Sequence, residues 1–153
     1  MNLKYHKRIT RDIKSVIEEH EIIFQQNNEI EVKKNDNILK IVLTDSYPFR
    51  PPKLFIKNKN EVTEYIQYYM NFKNNNIKLL DTLYKSKKWC PCCSSIVKSW
   101  CPSISFNKII YEFYNRENIR GLVVNINIMF QSNKLIDEIQ NLIMSFLINS
   151  LND

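Results

Sequence analysis

The chain has 153 residues, 44% of them hydrophobic and 25% charged, a balance that fits one compact domain over residues 1–153 rather than a disordered or membrane chain. No stretch approaches the roughly 18 uncharged apolar residues of a membrane span, and the polar start MNLKYHKRIT lacks a signal peptide's apolar core, so an intracellular protein, cytoplasmic or nuclear, is expected. The formal charge of +6 comes from scattered lysines and arginines, which read as a solvated face more readily than as a nucleic-acid footprint.

From Lys7 to Glu19, Ile9, Ile13, Val16 and Ile17 recur at spacings of three and four, which predicts a basic amphipathic helix. Ile22–Phe24, Ile30–Lys34 and Ile38–Thr44 follow as short runs separated by QQNN and KNDN, and such polar clusters predict a three-stranded antiparallel meander. The segment Tyr47-Pro48-Phe49-Arg50-Pro51-Pro52 cannot extend a ladder, because its prolines remove donors and fix φ. It is expected to be a rigid turn before a fourth strand at Leu54–Ile56.

Between Asn60 and Lys88 two helical patterns flank KNNN, the first through Val62, Ile66, Tyr69 and Met70, the second through Ile77, Leu80 and Leu83. Ile104, Phe106, Ile109, Ile110 and Phe113 have helical spacing. Val124, Ile126, Ile128 and Phe130 alternate with Asn125, Asn127 and Met129, the period of a strand. Leu135 to Leu147 reads as a last apolar helix face. The order of helix, meander and further helices is that of an α+β fold. The chain contains no alanine and one glycine, Gly121, the composition of an AT-rich genome such as parasites and large viruses carry.

Cys90, Cys92, Cys93 and Cys101 lie within twelve residues of one another, a clustering that fits reduced thiols better than a disulfide framework. Cys90 and Cys93 form a C-x-x-C pair, but a structural zinc needs four tetrahedral ligands, and only Cys101, His6 and His20 remain to complete a site with Cys92. No metal and no other cofactor is expected.

Three segments, in order, resemble the ubiquitin-conjugating enzymes: Lys7-Arg8-Ile9 opening the first helix, ILKIVLTDSYPFRPPKLFI with its YPF-x-PP turn, and Trp100-Cys101-Pro102 before SISFNKII. The resemblance implies the family's α+β fold, with an N-terminal helix, an antiparallel meander of about four strands and C-terminal helices. It also implies a cysteine that accepts ubiquitin or a ubiquitin-like protein as a thioester from an activating enzyme, which consumes the ATP, and passes it to a lysine with a ligase. The family's cysteine stands seven intervening residues before the W-x-P tryptophan, which here selects Cys92, with Cys93 next. A thiolate suits the chemistry, being a good nucleophile and a fair leaving group. By the same resemblance Lys7, Arg8 and Arg11 face the activating enzyme, and Phe49, Pro102 and Ser103 face the ligase.

The chain also departs from the family. The His-Pro-Asn tripeptide is absent before the cysteines, and losing an oxyanion donor costs on the order of a hundredfold or more in rate. Trp89 and Pro91 stand near the cysteine where the family has a glycine, and the chain from Tyr47 to Cys92 is longer than usual. A catalytically inactive variant, or a protein-binding module like the RWD domains that share the YP-x-x-x-P turn, is therefore the alternative.

Overall fold

The computed structural model describes residues 10, 11, 14, 22–26, 28–84, 96, 99–133, 142 and 145. Thr10, Arg11 and Lys14 are helical and exposed, as the basic amphipathic pattern predicts. Five strands follow: β1 (Ile22–Gln26), β2 (Glu29–Lys34), β3 (Asn37–Val42), β4 (Lys53–Asn58) and β5 (Glu61–Glu64). They form one antiparallel sheet in chain order. Two-residue turns close β2 on β3 and β4 on β5, with Lys34 opposite Asn37 and Asn58 opposite Glu61. The first turn places Asn35 at φ 55°, in the left-handed region that asparagine tolerates better than most residues.

Alternation sorts the sheet into two faces. Ile30, Val32, Leu39, Ile41, Leu54 and Ile56 are buried on one face, and burying each such side chain contributes roughly 1.5–3 kcal/mol before entropy is counted. The other face carries Glu29, Glu31, Lys40 and Lys57, with Lys40 paired to Glu29 at 2.8 Å. Such a part-exposed pair contributes at most about 1 kcal/mol.

Three helices follow β5: α1 (Tyr65–Asn75), α2 (Ile77–Tyr84) and α3 (Phe106–Asn133). The first half of α3 puts Phe106, Ile109, Ile110 and Phe113 into the main core with the inner sheet face and with Tyr65 and Tyr69 of α1. Its second half builds a separate cluster, in which Val123 and Ile126 meet Leu80 of α2, flanked by Phe72 and Phe130. Asn76 joins these parts: its amide donates to the Phe72 carbonyl at 2.9 Å, and its side-chain oxygen accepts from Asn127 at the same distance.

Two expectations are corrected. The alternating segment from Val124 to Phe130 is helix, not strand, because it continues α3 without a break. Its apolar residues satisfy both periods, and Val123 and Ile126, which the helical register aligns, are the ones buried. The sheet has five strands instead of about four, since Glu61–Glu64 adds an edge to β4. The last helix pattern, Leu135 to Leu147, falls outside the described residues apart from Leu142 and Ser145, which are helical. No described helix is long and apolar enough to cross a membrane.

Candidate functional site

The YPF-x-PP turn and the W-x-P segment meet at the start of α3. Hydrogen bonds from the Tyr47 amide to the Thr44 carbonyl at 2.9 Å and from the Arg50 amide to the Ser46 carbonyl at 3.0 Å fold the chain tightly after β3, and the Tyr47–Pro48 peptide is cis. Tyr47 is buried, stacked on Phe106 with ring centres 5.5 Å apart and tilted against Trp100 at 5.9 Å. The indole Nε1 of Trp100, itself half-buried, donates to the Pro48 carbonyl at 2.8 Å. That bond staples together two loops 52 residues apart in sequence.

Outside the staple, the same loops are solvent-facing. Phe49 is 65% exposed, and Arg50, Pro51, Cys101, Pro102 and Ser103 are exposed as well. The structure thus brings Phe49 onto one stapled loop and Pro102 and Ser103 onto the other. Arg11 lies on the N-terminal helix, exposed. Lys7, Arg8 and Cys92, together with Cys90 and Cys93, lie outside the described residues.

Cys101 turns outward as a free thiol. Its Sγ lies 2.8 Å from the Ser103 hydroxyl, and the Ile104 amide donates to the Cys101 carbonyl at 3.0 Å, closing the turn. The side-chain hydrogen bond of Ser103, then its backbone amide, with smaller help from the Ile104 amide and the Lys108 charge, holds the thiol below its ordinary pKa. Hydrogen bonds to the charged form favour it. The thiolate fraction of Cys101 therefore rises at lower pH than that of a free cysteine, and iodoacetamide alkylates it correspondingly earlier. Ser103→Ala moves the alkylation midpoint upward, towards that of a free cysteine. Mass spectrometry of the tryptic peptide Ser99–Lys108, which holds no other cysteine, reads this out, and an unmoved midpoint would rule out the Ser103 contact as the cause.

A polar cluster at the opposite end of the sheet, beside the β2–β3 and β4–β5 turns, ties α3 to β3 and α1. Glu117 is fully buried and accepts from Tyr69 Oη at 2.7 Å, Asn37 Nδ2 at 2.8 Å and Arg120 Nε at 2.9 Å. The Asn37 amide also donates to the Tyr68 hydroxyl at 2.8 Å, and Asn58 donates to the Asn37 oxygen. Burial first, then the Glu117 charge, raises the Tyr69 phenol far above its ordinary value, so it stays a donor throughout the working pH range. The Arg116 guanidinium lies over the Tyr65 and Tyr69 rings at 5.6 and 5.2 Å and pairs with Glu112 at 3.1 Å.

Sequence reasoning missed the Glu117 cluster, whose members are scattered over β3, β4, α1 and α3. It also missed the Cys101–Ser103 pair, although the Cys-Pro-Ser order, with a hydroxyl two residues after the thiol, is a local signal for such a turn. No protein-family model, curated protein or solved structure matches the chain.

Proposed function

We propose that this chain is a ubiquitin carrier like the ubiquitin-conjugating enzymes. In this reading Cys92 accepts ubiquitin, or a ubiquitin-like protein, as a thioester from an activating enzyme, and a ligase docks on Phe49, Pro102 and Ser103. The observation that carries the reading is the staple from Trp100 Nε1 to the Pro48 carbonyl. It joins the two motifs that resemble the family, at the head of a helix packed on one face of an antiparallel meander. The exposure of Phe49 on one stapled loop and of Pro102 and Ser103 on the other supports a docking role for both loops, since large exposed aromatic side chains are common anchors at interfaces.

The absent His-Pro-Asn favours a second reading, in which the same fold binds a partner and transfers nothing. Incubation with activating enzyme, ATP and ubiquitin separates the two. A carrier gives an adduct on a gel that reductant removes. Cys92→Ser replaces it by a reductant-resistant oxyester or by nothing, whereas Cys90→Ser and Cys101→Ser keep the thioester. If Cys93→Ser abolishes loading and Cys92→Ser does not, the acceptor is Cys93. If the wild-type chain forms no adduct, the carrier reading fails and the binding module stands.

A further inference from the structure

On the far side of the proline turn, β4 and the start of α1 enclose a groove of about 510 Å³, within the roughly 300–1,000 Å³ range of ligand-binding clefts. Phe55 and Ile66 supply apolar lining, and Arg50 and Lys53 stand on the same rim. Both cations are exposed, and neither makes an ion pair among the described residues. Glu64, directly opposite Phe55 in the β4–β5 register, lies at the start of α1 and caps it with no side-chain hydrogen bond. Thr44 also lines the groove, and its hydroxyl is buried with no hydrogen-bond partner among the described residues.

We infer that this groove is a docking site for a partner protein's extended acidic segment that carries an apolar anchor. An apolar side chain between Phe55 and Ile66 loses its contact with water, and carboxylates beside it meet Arg50 and Lys53, which make no ion pair among the described residues and outnumber Glu64, the acid that lines the same groove. Removing apolar area from water supplies affinity, while the charge match sets orientation and encounter rate. A basic segment is disfavoured by the same two cations, and a wholly polar acidic one leaves the apolar lining unused. The inference is independent of whether any cysteine carries ubiquitin, because no cysteine lines the groove.

Fluorescence anisotropy of the full chain with the labelled peptide Asp-Glu-Leu-Asp-Leu-Glu tests it. The wild type binds. Arg50→Glu and Lys53→Glu each weaken binding about tenfold, more than loss of a single exposed pair because a repulsion is introduced. Lys33→Glu, on an exposed strand position away from the groove, makes the same change in net charge and leaves affinity within about twofold. Glu64→Gln tightens binding, and replacing both leucines of the peptide by serine abolishes it. Circular dichroism confirms that each variant is folded. The inference is overturned if the peptide does not bind, if Lys33→Glu weakens it as much as Arg50→Glu, or if the serine peptide binds equally well.

Discussion

Glu117→Ala lowers the stability of the domain by about 3–5 kcal/mol, the range for removing one partner from a buried charged pair. The loss exceeds that of an ordinary buried methylene because three donors are orphaned together: Tyr69 Oη, Asn37 Nδ2 and Arg120 Nε. Arg120 is part-buried, so its charge remains in a partly desolvated position without its carboxylate. A domain of this size holds roughly 5–15 kcal/mol in all, and the variant loses a large share of it. Tyr69→Phe removes a single bond to the same carboxylate and costs about 1.5–3 kcal/mol. Urea titration with an unchanged slope measures both. A Glu117→Ala loss no greater than that of Tyr69→Phe would show that the cluster adds nothing beyond one bond.

Tyr47→Ala costs a similar amount, about 3–5 kcal/mol, through the cavity left between Phe106 and Trp100. The effect is structural before it is functional, since Tyr47 holds the turn from which Phe49 projects. Two residues on, Phe49→Ala deletes a ring that is 65% exposed and changes stability by no more than about 0.5 kcal/mol. The contrast is the measurement that matters: equal losses at the two positions would mean that Phe49 is packed in solution and is not available for docking. If the ligase reading is right, Phe49→Ala instead impairs ligase-dependent transfer from a protein of undiminished stability.

Much of the fold was legible where local chemistry and period agree. The polar clusters at Asn27–Asn28 and Asn35–Asp36 mark the meander, and the prolines from Pro48 to Pro52 separate β3 from β4 as expected. The pattern from Phe106 to Phe113 gives the first half of α3 correctly. Reading failed where one residue set fits two periods. In Val124 to Phe130 the alternating asparagines imitate a strand, but unbroken helical hydrogen bonding from Phe106 onward and the contact with Leu80 decide for helix. β5 was misread: Val62 was counted into the helical pattern of Ile66, Tyr69 and Met70, but it lies in the edge strand, whose Glu-Val-Thr-Glu offers a single strongly apolar residue.

Phe49, Pro102 and Ser103 were singled out through their motifs, and the structure adds the staple that joins their two loops. The Glu117 cluster was not legible. Asn37 and Glu117 are 80 residues apart, and only the tertiary fold makes a buried ion of a glutamate in a helical sequence rich in charge. The groove beside Pro51 and Pro52 escaped for the same reason, because Arg50 and Lys53 lie at the start of the β4–β5 hairpin while Glu64 and Ile66 lie at its end and in α1.

The strictly sequential strand order also has a kinetic meaning. Each strand pairs with the one made just before it, so loop closure within the sheet costs little and the meander can assemble hairpin by hairpin as the chain leaves the ribosome. Phe106 to Phe113, which cover the inner sheet face, come much later in the chain. At roughly 5–20 residues added per second, Ile30, Leu39 and Ile56 wait for seconds without that cover. During synthesis the nascent sheet presents to other chains the apolar face that the finished protein keeps to itself.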